Sequence, residues 1–310
     1  YTSSGATLTH TLKSGNVVEG WIFDTEHSGS GTSKSYTPKW DTVNAFISDS
    51  RDHDTTINGN YKVTDDGTGE NTKIFFSYNP SGVGGKPYNP ANNEWGWSDG
   101  TGNAVNRTAQ FTGNLEMNGI SATNNTNVLV GLEHQLWARN PNSSASDDKA
   151  EWNNSNSNTT LLNSGTINLS NGNNMVGIMI DVEHSNDPSH IQNKTINTDS
   201  NGNGKIILGA NSSNSVGIDF GSYQIGLMQT DVSLGNIEVD GTSNYGFRMS
   251  NIFDGSSNLY TSGLNVPGNE YYDNVNVDGG NGTITVGGTQ NVGVSIGKDL
   301  SSSKNSNPIG

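Results

Sequence analysis

Apolar residues along this chain fall in short alternating runs separated by glycine, asparagine and serine, the pattern of half-buried strands between tight turns. Ile167 and Leu169 alternate with Thr166 and Asn168, and Ile284 and Val286 alternate with Thr283 and Thr285. One arrangement recurs: a glycine, two apolar residues one position apart, a polar turn, then two apolar residues bracketing a second glycine. It reads Gly165, Ile167, Leu169 with Val176, Gly177, Ile178, and again Gly204, Ile206, Leu208 with Val216, Gly217, Ile218. It returns as Gly235, Ile237, Val239 with Tyr245, Gly246, Phe247, and as Gly282, Ile284, Val286 with Val292, Gly293, Val294. A weaker copy uses Gly113, Leu115, Met117, Val130, Gly131 and Leu132. The units differ in length, and the extra residues fall in the polar connections, which marks those connections as loops.

A second repetition spans more chain. Residues 15–28 match residues 172–185 without gaps, with seven of the fourteen positions identical, and the same offset pairs Thr9 with Thr166 and Leu12 with Leu169. Each unit of roughly thirty residues offers some six inward apolar side chains. At roughly 1.5–3 kcal/mol each these do not cover an ordering cost of about 1.5 kcal/mol per residue, so no unit folds alone. Stacking the units supplies the missing burial and pairs every strand above and below. The expected fold is therefore all-β, a parallel β-helix or β-solenoid, with an antiparallel sandwich or jelly roll as the competing arrangement of short strands. The expected organisation is a first coil at 1–28, an irregular aromatic-rich cap or insertion at 29–112, and regular coils at 113–310. All six tryptophans precede residue 153, which puts the aromatic load at one end.

With only 30% hydrophobic residues and 40 glycines, the composition would fit a disordered chain if the apolar positions were scattered, and they are not. The absence of cysteine excludes disulfide scaffolds and thiolate sites, so stability has to come from packing. A formal net charge of −15 opposes binding to phosphate backbones and anionic lipid, so nucleic acid is not an expected partner. No apolar run reaches transmembrane length and none has the form of a signal peptide, so no membrane insertion by this segment is expected. The chain is expected to be a monomeric piece of a longer, processed protein.

Residues 163–170 with 173–178, 214–218 and 282–294 resemble the repeats of large type V autotransporter passengers, most closely those of fusobacterial outer-membrane adhesins. The resemblance extends over about 113–310, with an echo at 9–28, and is weak across 29–112. It implies a right-handed β-helical passenger exported through a C-terminal β-barrel, displayed on the bacterial cell surface and attaching to host cells or other bacteria. A chain free of cysteine agrees with passage through a pore in an unfolded state.

Polysaccharide-active enzymes also use parallel β-helices, and Asn197, Thr198 and Asp199 match one hydrolase signature. The accompanying Gly-His-Gly and Arg-Ile-Lys are missing, and the pairs Asp65-Asp66 and Asp147-Asp148 come before the tripeptide rather than after it. No catalytic residues are assigned, and the chain is expected not to be an enzyme. An inert stalk is a further alternative, and the uneven insertions count against it.

Three motifs carry other chemistry. Residues 199–206 reproduce the opening of an EF-hand-like loop, with Asp199, Asn201 and Asn203 as oxygen ligands for Ca²⁺ and a glycine at the turn, but Ala210 stands where the bidentate glutamate belongs. The same residues also read as an ordinary polar turn; no cofactor is expected other than this possible Ca²⁺. Glu-His occurs at Glu26-His27, Glu133-His134 and Glu183-His184, and strand alternation sends the two side chains of each pair to opposite faces, so they do not converge on one metal. Glu94, Trp95, Trp97 and Asp99 combine two indoles on one side of an extended segment with flanking carboxylates, a combination suited to sugar faces and hydroxyls. A buried cap core accounts for the indoles as well. Trp152, in the polar excursion 141–160, is a second ligand-binding candidate. The expected partner is a host-cell receptor protein or a glycan.

Overall fold

The computed structural model describes residues 2–12, 25–28, 35–38, 45–49, 54–65, 72–78, 106–120, 128–137, 158–183, 192–222, 229–250 and 274–296. Their regular structure is all β-strand, and both large sheets are built from parallel ladders, not from the facing antiparallel layers of a sandwich. Most strands pair with those three places before and after them in the chain, so three ladders alternate.

The first ladder contains β7 (Asn106–Phe111), β10 (Asn158–Asn163), β13 (Gln192–Ile196), β16 (Gln229–Ser233) and β19 (Asn274–Asp278). The second contains β8 (Asn114–Asn118), β11 (Thr166–Asn173), β14 (Lys205–Ser213), β17 (Asn236–Val239) and β20 (Ile284–Val286). The third, a seven-stranded sheet, contains β4 (Ala45–Asp49), β6 (Thr72–Tyr78), β9 (Val128–Trp137), β12 (Met175–Glu183), β15 (Val216–Ser222), β18 (Tyr245–Ser250) and β21 (Val292–Ile296). The long strand β5 (Thr55–Asp65) belongs to two ladders: Thr55, Thr56 and Ile57 pair with β7, and Asn60 to Thr64 pair with β8. It changes direction at Gly59, whose φ of 131° suits glycine.

Register puts like residues in columns. Leu115, Ile167, Ile206, Ile237 and Ile284 form one, and Leu132, Ile178, Ile218, Phe247 and Val294 another. These are the apolar positions of the repeated motif. Side chains from all three ladders meet in one large apolar core, and Ile74, Val130, Val176 and Val216 of the third ladder form a second, smaller buried cluster. On the last described coil, Val286, Val294 and Ile296 are exposed by 46%, 44% and 57%, while their column mates Val239, Phe247 and Met249 are buried.

Two columns of glycine explain why the motif needs that residue. A Cβ on Gly177 would lie 2.6 Å from the carbonyl oxygen of Gly217, and one on Gly217 would lie 2.5 Å from that of Gly246. A Cβ on Gly165 would meet the carbonyl oxygen of Gly113 at 2.1 Å. Backbone meets backbone at both positions, so no side chain can give way. The third-ladder strands are entered through Asn174, Asn214, Ser243 and Gln290, all with φ between 48° and 57°, the left-handed corner that an asparagine-rich turn favours.

Amide ladders tie the corners together. Asn163 Nδ2 donates to Asn197 Oδ1 at 2.8 Å, and Asn197 Nδ2 donates to the carbonyl oxygens of Leu234 and Asn236 at 2.8 and 2.9 Å. Outside, Asn211 donates to Asn171 and Asn171 to Asn118, each at 3.2 Å.

The N-terminal part differs from the repeat in two ways. Segment 29–112 departs from the motif in sequence, yet β4, β5, β6 and β7 come from it and lie in the large sheets. In addition, β1 (Thr2–Leu12) pairs with β5 so that Leu8 and His10, through Tyr61 and Val63, share the columns of Ile167 and Leu169. The sequence offset places Leu12 beside Leu169. A slip of two residues keeps each side chain on its face, so the alternation alone cannot fix this register. The echo also ends differently, because β2 (Thr25–Ser28) pairs antiparallel with β3 (Ser35–Pro38).

Candidate functional site

Connections between ladders are unequal in a systematic way. From the first ladder to the second the chain uses 112–113, 164–165, 197–204, 234–235 and 279–283, and from the second to the third 119–127, 174, 214–215, 240–244 and 287–291. From the third back to the first it uses 79–105, 138–157, 184–191, 223–228 and 251–273. The segment 13–44, which contains β2 and β3, connects β1 on the second-ladder columns with β4 in the third ladder, whereas from β6 onward the three longest excursions, 79–105, 138–157 and 251–273, leave and return along one edge of the stack. Glu94, Trp95, Trp97 and Asp99 belong to the first of them and Trp152 to the second, and all five lie outside the described residues. Their anchors do not. Tyr78 is in register with His134 and Asn106 with Asn158, so the two excursions start and finish on adjacent strands, about 4.8 Å apart.

The segment matched to a cation loop folds as an Asx turn. Asp199 Oδ1 accepts from the backbone N–H groups of Asn201 and Asn203 at 2.8 and 3.2 Å, and Oδ2 accepts from Asn203 Nδ2 at 3.0 Å. Gly202 completes the reversal with a φ of 75° and donates its N–H to the Asp199 carbonyl oxygen at 3.0 Å. The Asn203 side chain first, and then the backbone amides, hold this exposed carboxylate below the usual aspartate pKa. Among the described residues no three acidic or histidine side chains converge. Because the folded pKa is depressed, the turn is fully tied above the ordinary aspartate value and loosens as pH falls through the lowered one. Asp199→Ala is expected to speed hydrogen exchange at the Asn201 and Asn203 amides several-fold at neutral pH without changing the unfolding midpoint. NMR exchange measurements check this.

The other motifs are separated in the same way. Glu133 accepts from Ser77 Oγ at 2.5 Å on one side of β9, while His134 lies in the core on the other. Glu26 and His27 are in the antiparallel pair of β2 and β3, and His184 lies outside the described residues. Among the described residues the Glu-His dipeptides therefore show no common site. In the triplet matched to a hydrolase signature, Asn197 is buried and its amide is occupied by the corner ladder.

Two polar features had no advance signal in the motif. Lys73 is fully buried, with its Nζ 2.5 Å from Asp65 Oδ1, and the Asp65 side chain is 2% exposed. Asp219 and Arg248, neighbours in the register of β15 and β18, form a two-point pair at 3.0 and 2.6 Å, with the guanidinium 5.7 Å from the Tyr245 ring centre. Both second partners occupy positions that the pattern alone treats as interchangeable strand residues.

Comparison of the chain with family models, curated proteins and solved structures gives no match in any of the three.

Proposed function

We propose that the chain is a right-handed parallel β-helical passenger segment of a bacterial surface adhesin, exported by a type V route. It attaches to a host-cell receptor protein or glycan, or to another bacterium, through excursions on one edge of the stack, and it catalyses nothing. The single observation that carries this reading is that, from β6 onward, the three longest connections all fall on that edge, while the other two corners of those coils take nine residues or fewer. Rigid columns with variable loops at one side are a common way to present binding residues. The right-handed sense agrees with the strong preference of parallel strand crossovers for that hand. The repeat resemblance supplies the adhesin class, and the charge of −15 fits a neutral or cationic partner rather than nucleic acid or an anionic membrane. Excursions of such unequal length favour adhesion over an inert stalk.

Binding is assigned first to Glu94, Trp95, Trp97 and Asp99, with Trp152 from the adjacent excursion as a contributor. Trp95→Ala combined with Trp97→Ala is expected to lower binding to cells and to a glycan array at least ten-fold, with an unchanged circular dichroism spectrum and melting curve. Wild-type binding by this variant removes the assignment. Hydrolysis or elimination of a polysaccharide by the purified protein would replace the adhesin reading with an enzymatic one.

A further inference from the structure

We propose that the coil level around His134, formed by β6, β9, β10 and β13, is an acid-sensitive latch that opens locally while the later coils stay stacked. His134 occupies an inward column whose other members are Asp49, Tyr78, Ile180, Phe220, Met249 and Ile296. In β12, β15 and β18 this position is apolar and buried; at β9 an imidazole with no exposed surface takes it. The ring stacks on Tyr78 with centroids 5.5 Å apart at 26°. Nδ1 lies 2.9 Å from Thr195 Oγ1, and Nε2 lies 3.4 Å from Thr159 Oγ1.

Two hydroxyls can satisfy a neutral imidazole in either tautomer, since each can donate or accept. They cannot neutralise an imidazolium. The charged and titratable groups on the surrounding strands do not supply a counter-charge. Glu133 is bound to Ser77 on the opposite face of β9. On β6, Lys73 is paired with Asp65, and Asp49 on β4 is two strands away in the column, with the Tyr78 position between it and His134. Lys194 on β13 is half-buried and alternates with Thr195. Asp181 and Glu183 on β12 take positions alternate to the His134 column, and β10 contains no charged residue. Arg107 on β7 is in register with Thr159 and stays cationic at every pH concerned, so it adds no acid-dependent attraction.

Burial pushes the His134 pKa from 6.5 down to about 3. With the folded value below the unfolded one, the latch contributes its full stability above pH 6.5 and loses it as pH falls from there toward 3. At pH 4.5 the ratio of open to closed latch rises about 100-fold over its neutral value. In a stack whose units contact only their neighbours, such an opening stays near its own level.

Hydrogen exchange measured by mass spectrometry at pH 7 and pH 4.5, corrected for intrinsic rates, tests this on wild type and His134→Ile, isoleucine being the column residue of β12. Wild type is expected to lose protection at pH 4.5 in 72–78, 128–137 and 158–163 while 205–222 and 236–250 keep theirs, and the variant to keep all of it. Unchanged wild-type protection, uniform loss along the chain, or the same loss in the variant overturns the proposal. If the variant fails to fold, an NMR titration of the wild-type imidazole decides: no native titration above pH 5 upholds the latch, and titration near 6.5 overturns it.

Discussion

Gly165→Ala and Gly177→Ala are each expected to destabilise the fold by about 3 kcal/mol or more, the upper end of what overpacking costs. A single methyl ordinarily stabilises a strand relative to glycine by reducing the freedom of the unfolded chain. Here the sign reverses, because the added carbon meets backbone: Gly113 oxygen and nitrogen at 2.1 and 2.8 Å for Gly165, and Gly217 oxygen at 2.6 Å for Gly177. A side chain would relieve such a contact by rotating; a hydrogen-bonded neighbouring strand cannot. Relief requires two coils to separate, which breaks ladder bonds and opens apolar columns together. Gly279→Ala is the internal control. Its Cβ would have no neighbour within 4 Å, and its φ is not positive, so stability should move by less than about 0.5 kcal/mol. Urea midpoints of the three variants check this. A midpoint for Gly177→Ala equal to that of Gly279→Ala would show that the coils are not stacked this closely.

The contrast explains which parts of the fold could be read from sequence. Where a coil puts glycine at its close-contact position and β-branched residues in its columns, alternation and spacing are enough. The strands β11, β12, β14, β15, β17, β18, β20 and β21 all fall on the repeated motif. At β6 the same position is Phe75, on the level of Gly131, because Ile74 pairs with Val130 and Phe76 with Leu132. Its ring is buried against Tyr61 at 4.8 Å and Phe111 at 6.2 Å, so an aromatic cluster replaces the glycine approach. A search for the motif passes over such a coil, which is why 29–112 looks irregular in sequence while its strands lie in the sheets. The candidate chemistry was less legible for a related reason. Asp199, Asn201 and Asn203 have the spacing of a cation loop, but the same spacing lets one carboxylate cap the amides of its own turn. Spacing does not distinguish the two uses. The placement of the excursions on one edge follows from the order of ladders, which no single unit of sequence contains.

Asp65→Ala is expected to cost about 3–5 kcal/mol, the usual penalty for leaving one charge of a buried pair behind. Lys73 has no exposed surface, and its Nζ is 2.5 Å from the Asp65 carboxylate, so removing the acid takes a charge partner away from a buried ammonium group. The pair itself is not expected to be a net source of stability, because taking two charges out of water offsets most of their attraction. The columns provide the test. Lys73 is in register with Leu129, and Leu129 with Met175, so the lysine occupies a position that later coils fill with leucine and methionine. Asp65 is in register with Leu12. Lys73→Met combined with Asp65→Leu should therefore recover most of the loss and reach stability within about 1 kcal/mol of wild type, or above it. The full cycle of single and double variants, followed by urea unfolding, gives the coupling energy. A double variant as unstable as Asp65→Ala would mean that the ion pair holds β5 and β6 together in a way apolar side chains cannot reproduce. Recovery would show that this level of the core belongs to the same column system as the regular coils, with a charged pair written over two apolar positions.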